Sequence, residues 1–144
     1  MIKNWSPVIP PEFQSVRYQS QRIPGVDQQS DLSLGANCQV FAYALLAHWG
    51  KIIPNFRSSD LWEDQKYTMT VDRDFEPLDL MLYHRRPEAF GAHVGLYWGE
   101  GMVLHLAKHN QLPKIEAHLD LLQQDRYAHF IGAKRVISPS SPRS

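Results

Sequence analysis

Three side chains in this sequence are of the types that perform thiol chemistry. Cys38 is the only cysteine among the 144 residues. It follows a turn of small residues at 35–37 and begins an apolar run. Two histidines, His93 and His105, lie downstream at the two ends of a segment that reads as one β-hairpin. A single thiol at the start of a helix, with imidazoles on a strand pair, predicts a nucleophile and a base of a thiol hydrolase.

The cysteine is expected to be the first residue of a helix. Apolar side chains recur every four positions between 41 and 49, Asn37 is a suitable N-cap, and Gly50 can end the helix. Free backbone amides and the positive end of the helix dipole favour a thiolate at Cys38, so we expect its pKa to lie below the ordinary value of about 8.5. The alternative is a buried structural cysteine, the usual role of a lone cysteine.

The side chains of His93 and His105 are expected on the same face of the hairpin. A three-residue loop, residues 99–101, pairs Gly95 with His105. His93 is then a diagonal neighbour of His105 on that face. A two-residue loop would place the two imidazoles on opposite faces. The alternative for each histidine is an ordinary half-buried position in a sheet.

The order of these motifs resembles the NlpC-type cell-wall cysteine peptidases, a papain-like superfamily. Residues 93–105 read His-Val-Gly-Leu-Tyr-Trp-Gly-Glu-Gly-Met-Val-Leu-His, similar to the family's His-Val-Gly-Ile-Tyr followed by Met-Ile-His. The segments at 77–83 and 130–137 resemble the family's Gly-Asp-Leu-Val-Phe-Phe strand and its last strand. At the nucleophile, Asn-Cys-Gln-Val (37–40) stands where the family has Asp-Cys-Ser-Gly. The resemblance covers most of residues 30–137.

The resemblance implies a mechanism and a set of site residues. Cys38 would attack an amide carbonyl, and His93 would take the thiol proton and later protonate the leaving amine. His105 would orient the imidazole of His93, completing a Cys-His-His triad. The backbone amide of Cys38 would stabilise the oxyanion, with a tyrosine upstream of the nucleophile as a further contributor. The residues expected to contact the substrate are Tyr18, Asn37 and Trp62.

The segment between Ile52 and Pro77 carries Trp62 and Tyr67 among polar and charged residues. It can be read as a loop that lines the substrate site, or as a surface loop whose two aromatic rings are turned inward. Asp79 lies in an apolar strand and is expected to hold a turn rather than to act as a base.

Length and composition indicate one small domain. A chain of 144 residues can bury about two-thirds of its unfolded surface. The predicted fold class is α+β and papain-like, with the nucleophile helix packed on an antiparallel sheet of about five strands. Residues 1–15 are predicted to form an extended N-terminal arm, 16–137 the hydrolase domain, and 138–144 a disordered tail.

Charge and hydropathy exclude several classes of partner. Fifteen basic and fifteen acidic residues cancel, so no net charge favours nucleic acid. No run of eighteen apolar residues is present, so we expect no membrane span. The N-terminal residues lack the apolar core of a signal peptide, which predicts a cytoplasmic protein or one exported without a recognisable signal.

The expected function is that of a cysteine peptidase or amidase acting on a peptide or cell-wall fragment, without a cofactor or metal. A thioester acyl transferase and a catalytically inactive binding module with the same fold stay open as alternatives. A zinc hydrolase would use Cys38, His93, His105 and His109, although the short-spaced ligand pairs typical of zinc sites are absent. The sequence does not predict the oligomeric state.

Overall fold

A six-stranded antiparallel sheet is the central element of the computed structural model, which describes residues 8–20 and 35–137. The strands lie in the order β1-β6-β2-β3-β4-β5. Their bounds are β1 Thr68–Val71, β2 Leu80–His84, β3 His93–Gly99, β4 Met102–His105, β5 Lys114–Ala117 and β6 His129–Val136. The predicted α+β class is confirmed, with six strands instead of about five. The edge strands β1 and β5 are four residues long, and each exposes two of them to solvent.

The helices within the described residues are short, and the longest begins at the cysteine. Their bounds are α1 Cys38–His48, α2 Ser58–Glu63 and α3 His118–Leu121, with 3₁₀ turns at Pro11–Phe13 and Asp125–Tyr127. Oδ1 of Asn37 accepts a hydrogen bond from the backbone N–H of Val40 at 2.9 Å and so caps α1. The predicted start of the helix at Cys38 is therefore confirmed.

Strand β2 is buried on both faces and separates two apolar clusters. Leu80 and Leu82 belong to the cluster that includes the buried face of α1, whereas Met81 and Tyr83 belong to a cluster on the opposite face. This division follows from the alternation of side chains along a strand. The sheet therefore has one face covered by the nucleophile helix and a second, more aromatic face.

Asp79 anchors the start of β2. Its carboxylate accepts two hydrogen bonds from the guanidinium of Arg135, both at 2.9 Å, and one from the backbone N–H of Glu76 at 2.8 Å. The side chain is buried, so these bonds satisfy oxygens that water cannot reach. The predicted role of Asp79 in holding a turn is confirmed.

The register of β3 and β4 places the two histidines on one face. Leu96 pairs with Leu104. Gly95 is then opposite His105, and a Cβ built on Gly95 would lie 3.2 Å from the Cβ of His105. His93 is two residues from Gly95 on the same strand, so it shares that face with His105. The predicted register is confirmed at these positions.

The loop of this hairpin differs from the prediction. Gly99, and not Trp98, lies opposite Met102, and the register shifts at this point. The turn consists of Glu100 and Gly101, both with positive φ. A two-residue loop alone would put the histidines on opposite faces, but the extra residue at Trp98 forms a bulge that offsets it. The prediction of a three-residue loop is therefore wrong, whereas the prediction that the two histidines share a face is confirmed.

A short parallel bridge holds the N-terminal segment beside the nucleophile. Tyr18 and Ala36 form this bridge, and the backbone N–H of Ala36 donates to the carbonyl oxygen of Arg17 at 3.0 Å. Gly35 has φ +93°, and a Cβ there would lie 2.8 Å from the same carbonyl oxygen. Only glycine fits this approach. The bridge brings Tyr18 close to the residues that lead into Cys38.

The predicted N-terminal arm is described from residue 8 onward. Phe13 is buried, and its ring lies edge-on to Phe41 of α1 with centroids 6.2 Å apart. Residues 1–7 and the predicted tail at 138–144 lie outside the described residues. In the described part of the chain, no helix has the length and hydropathy required to cross a membrane.

Gly132 in β6 makes room for an aromatic ring. It has φ +148°, and a Cβ built on it would overlap the six-membered ring of Trp62. Nζ of Lys134, two residues further along β6, lies 5.6 Å from the centroid of the Trp62 ring. Trp62 is therefore packed against the sheet.

Replacing Gly132 with alanine should destabilise the fold by about 3 kcal/mol, because backbone strain and overlap with Trp62 act together. Gly50 provides a matched control, since it has φ +79° but no atom within 4 Å of a built Cβ. Its replacement with alanine should lower the free energy of unfolding by only about 1 kcal/mol. Urea unfolding measures both values. Equal losses in the two variants would show that the contact with Trp62 is not tight.

Candidate active site

Three side chains on one face of the sheet form a chain of hydrogen bonds. Nε2 of His93 lies 2.8 Å from Nδ1 of His105. Nε2 of His105 lies 2.7 Å from a carboxylate oxygen of Glu116. His105 is almost completely buried, so neither of its ring nitrogens depends on water for a partner.

Glu116 determines where the protons lie along this chain. An ionised carboxylate can only accept hydrogen bonds, so Nε2 of His105 carries a proton and donates it. In the neutral ring, Nδ1 of His105 is then an acceptor and receives the Nε2–H of His93. The remaining nitrogen of His93, Nδ1, has no proton and is free to act as a base.

The pKa shifts of the three groups agree with this assignment. Burial raises the pKa of Glu116, but the hydrogen bond and charge of His105, the charge of Lys114 and the hydrogen bond from Asn110 together outweigh burial and hold this pKa below its usual value. Burial lowers the pKa of His105, against the opposing effect of Glu116. Burial, together with the charges of His105 and His109, lowers the pKa of His93 well below its usual value. At neutral pH the carboxylate is therefore charged and both imidazoles are neutral.

Glu116 is a residue that the sequence reasoning did not find. It lies in β5 opposite Val103, which is two residues from His105 on the same face of β4. Glu116 therefore lies diagonally across the β4–β5 pair from His105. His105 lies in the same way diagonally across the β3–β4 pair from His93. Asn110 and Gln124 each place a side-chain amide nitrogen 3.4 Å from its carboxylate. Recognising β5 as a strand would have extended the same alternation argument to Glu116.

Cys38 lies at the end of α1 that contacts β3. The backbone amides of Val94, Gln39 and Cys38 itself are within hydrogen-bonding reach of the sulfur. Since Val94 directly follows His93, the thiol is held beside the first residues of β3. Cys38, the nucleophile candidate, and His93, the base candidate, therefore belong to elements that meet at the start of β3.

Burial raises the pKa of the Cys38 thiol to about 11, although the three backbone amides lower it in part. The sequence predicted the opposite direction, and that prediction is wrong for the unliganded site. The reason is that excluding water destabilises a thiolate more than the helix N-terminus and the amides stabilise it. Because the pKa of His93 is also lowered, the proton rests on sulfur, and the imidazole is neutral.

The three residues expected to contact the substrate are in different environments. Burial, and then the charge of Cys38, raise the pKa of Tyr18, and Tyr18 lines the same cavity as His93. Asn37 uses its side-chain oxygen to cap α1. Trp62 packs against Gly132 and does not line the cleft described below. Of the three, the structure brings Tyr18 to the site.

A cavity of about 480 Å³ opens beside His93, within the range of small-molecule and peptide sites. The ring of Tyr127 forms part of its wall and stacks on the imidazole of His93, with centroids 4.7 Å apart and an interplanar angle of 24°. Tyr18 and the basic residues Lys108 and Arg126 also line it. Sequence reasoning did not find Tyr127, which belongs to a 3₁₀ turn with no periodic signal.

The zinc alternative has little support in this geometry. Across 8–20 and 35–137, no group of three or more His, Cys, Asp or Glu side chains is placed to hold a metal ion. Both ring nitrogens of His105, one of the proposed ligands, are already engaged by His93 and Glu116.

Solved structures of NlpC/P60 domains resemble this chain along most of its length. A NlpC/P60 family protein from Bacillus cereus ATCC 10987 has a TM-score of 0.61 and 19% identity, covering 93% of this chain and 42% of that protein. The NlpC/p60 domain of the peptidoglycan hydrolase SagA has a TM-score of 0.55 and 16% identity, covering 88% and 91%. The P60 domain of M. avium subspecies paratuberculosis antigen MAP1204 has a TM-score of 0.55 and 17% identity, covering 88% and 87%.

Sequence comparison gives a weaker similarity. No family model matches the chain. A curated protein named "Probable endopeptidase YafL", from Escherichia coli strain K12, is 22% identical over 81 residues, which are 56% of this chain. The chain spans 31% of that protein and less than half of the Bacillus cereus protein. At these identities the shared property is the fold. The chain therefore has the papain-like fold of NlpC/P60 domains, as its motifs predict.

Alkylation of Cys38 by iodoacetamide should follow the titration of a thiol with a raised pKa. The folded thiol titrates at about 11, above the value of about 8.5 for a free cysteine, so its reaction at neutral pH should be slower than that of a free thiol. The rate should rise continuously above pH 9, and unfolding in urea should restore the ordinary midpoint. A midpoint well below the free-thiol value would show a thiolate–imidazolium pair at rest and contradict the neutral pair.

Proposed function

We propose that this chain is a cysteine peptidase or amidase that hydrolyses an amide bond in a cell-wall peptide, with Cys38, His93 and His105 as its triad. The observation that carries the proposal is the hydrogen-bond chain from His93 through His105 to Glu116, which leaves Nδ1 of His93 free to act as a base, while the thiol of Cys38 lies beside the backbone of Val94. The names of two similar proteins, a peptidoglycan hydrolase and a probable endopeptidase, support the substrate class.

In the proposed first step, Nδ1 of His93 takes the proton of Cys38 while the sulfur attacks the amide carbon. A C–S bond forms and the carbonyl oxygen becomes an oxyanion. His93 then gives its proton to the amine, and the C–N bond breaks as the amine leaves. In the second step, His93 takes a proton from water, which attacks the thioester. A C–O bond forms, the C–S bond breaks as the acid leaves, and the proton held by His93 returns to sulfur.

The chain behind His93 stabilises the imidazolium that the first step creates. His105 accepts the Nε2–H of His93, and the carboxylate of Glu116 adds a negative charge at the far end. This stabilisation matters because burial alone disfavours a charged His93. The partly buried base therefore needs a charge partner, and Glu116 supplies it through the neutral ring of His105.

The oxyanion would be stabilised by the backbone amide of Cys38 and by the hydroxyl of Tyr18. Burial, followed by the charge of Cys38, raises the pKa of Tyr18, so the phenol keeps its proton at neutral pH and can donate it in a hydrogen bond. This arrangement supports Tyr18 as a substrate-contacting residue, whereas the contacts of Asn37 and Trp62 support structural roles for both.

Substitutions in the triad should separate hydrolysis from its alternatives. With peptidoglycan fragments as substrate, Cys38→Ala should abolish turnover but keep the fold, and His93→Ala should be nearly as severe. His105→Asn should retain more activity than His105→Ala, because an amide oxygen can also accept the imidazole proton. Mass spectrometry should find the free acid and the free amine.

Three results would contradict hydrolysis. Turnover that survives Cys38→Ala would exclude the thiol mechanism. Products in which the acyl group has passed to another amine or hydroxyl would show an acyl transferase. Tight binding of fragments by the wild type and by Cys38→Ala, without cleavage by either, would show a binding module.

Removing the charge of Glu116 should lower kcat more than it changes KM. Glu116→Gln keeps an acceptor for His105 but removes the charge that stabilises the imidazolium of His93, so kcat should fall about 10- to 100-fold, the range typical of groups that act through another residue. A glutamine can also reverse its amide and favour the wrong tautomer of His105. Glu100→Gln, in the exposed hairpin turn, is the control and should leave kcat unchanged. A full rate in Glu116→Gln would exclude Glu116 from the mechanism.

A further inference from the structure

The imidazole of His93 is contacted on its flat face as well as at its edge. At the edge, Nε2 lies 2.8 Å from Nδ1 of His105. The ring of Tyr127 covers one face, with centroids 4.7 Å apart and an interplanar angle of 24°. The rings of His93 and Tyr127 both stand nearly perpendicular to that of His105, at 81° and 87°. Tyr127 therefore supports the base from a direction that the hydrogen-bond chain does not control.

The position of Tyr127 is itself fixed by its neighbours. The side chain is buried, and its ring lies against that of Tyr83 with centroids 6.1 Å apart. The backbone N–H of Tyr127 donates to the carbonyl oxygen of Gln124 at 2.9 Å. The side-chain amide nitrogen of Gln124 lies 3.4 Å from the carboxylate of Glu116. One short segment, residues 124–127, thus contacts both the charged end of the hydrogen-bond chain and the face of the base.

A ring stacked in this way has two physical effects on an imidazole. Rotation of the imidazole about χ2 would drive its edge into the tyrosine ring, so the stack opposes any rotation that takes Nε2 away from His105. In addition, the face of an aromatic ring is the negative part of its quadrupole and attracts a cation. Burial raises the pKa of Tyr127, so the ring stays a neutral phenol at neutral pH. The imidazolium therefore gains more from this face than the neutral imidazole does.

We infer that Tyr127 is a positioning residue for the base, whose ring holds the imidazole of His93 in line with His105 and stabilises the imidazolium by stacking on it. The inference rests on the proposed function and adds a residue to its mechanism. It assigns the effect to the aromatic face and not to the hydroxyl. Phenylalanine should therefore be able to replace Tyr127, whereas leucine, which is apolar but has no aromatic face, should not.

The resonances of the His93 ring test the stack without requiring turnover. They are recorded by NMR at neutral pH with labelled histidine and assigned by their absence in His93→Gln. In the wild type, the ring current of Tyr127 should shift the carbon-bound ring protons of His93 upfield, and Nε2 should be the protonated nitrogen. Tyr127→Phe should keep both features. Tyr127→Leu should lose the upfield shift and raise the share of the tautomer protonated on Nδ1. Equal shifts and tautomers in the wild type and Tyr127→Leu would overturn the inference.

Kinetics with peptidoglycan fragments test whether the stack stabilises the charge that forms on His93. Tyr127→Leu should lower kcat about tenfold, the effect expected when an aromatic face over a partly desolvated cation is removed. KM should change less, because the imidazolium forms only after the substrate has bound. Tyr127→Phe should keep kcat within about twofold of the wild type. A kcat in Tyr127→Phe as low as that of Tyr127→Leu would assign the effect to the hydroxyl and overturn the inference.

Phe130→Leu is the matched control for a loss of packing. Phe130 packs against the same apolar cluster as Tyr127, and among the described residues its ring contacts are those with Phe75, Tyr83 and His118. This variant should be destabilised in urea but keep the kcat and the His93 resonances of the wild type. A loss of kcat as large as that of Tyr127→Leu would show a general packing effect and overturn the inference. A wild type that cleaves no fragment would overturn the proposed function, and the NMR comparison would then decide the role of Tyr127 alone.

Discussion

The hydrogen bond between His105 and Glu116 is the interaction on which the site depends. It holds the proton of His105 on Nε2, so that Nδ1 is the only nitrogen that can accept from His93. One carboxylate, two side chains away, thereby decides which nitrogen of the base is free. The bond forms only because β3, β4 and β5 are in one register, which puts the three side chains on a single face. A shift of one residue in the register of β3–β4 or of β4–β5 would move one of these three side chains to the opposite face of the sheet.

Burial has two opposing consequences for this site. It raises the pKa of Cys38 and lowers that of His93, so the pair is neutral before a substrate binds. A neutral pair is less reactive towards reagents from solution than a thiolate is. However, the same exclusion of water strengthens every hydrogen bond to the charges that form during the reaction. The site is therefore arranged to stabilise charge when it forms, rather than to hold it at rest.

The parts of the structure that local patterns determine could be predicted from the sequence. To predict the start of α1, a capping side chain and a periodic apolar face were sufficient. To predict that the two histidines share a face, the alternation of side chains along two strands was sufficient. In the hairpin loop, the residue count was wrong, but the bulge at Trp98 compensated for it. The papain-like fold class, in contrast, came from the resemblance of these motifs, in their order along the chain, to those of a known family.

Other features depend on residues that tertiary structure brings together. Glu116 lies on an edge strand with two exposed residues and no fully buried one, so no apolar alternation marks the strand that carries it. Trp62 packs against Gly132, and only the backbone conformation of that glycine shows that the ring is directed at the sheet. The raised pKa of Cys38 is a result of burial, which the position of a residue in a helix does not determine. In each case the missing information was a contact between segments distant in sequence.

A net charge of zero does not mean that the charge is evenly distributed. Fifteen basic and fifteen acidic residues cancel in sum, which argues against a long-range field around the molecule. Locally, however, the acids are used in the scaffold: Asp79 holds Arg135 at the start of β2, and Glu116 holds His105. The residues that line the cleft include Lys108 and Arg126 but no acidic residue, so this part of the surface is basic although the chain as a whole is neutral.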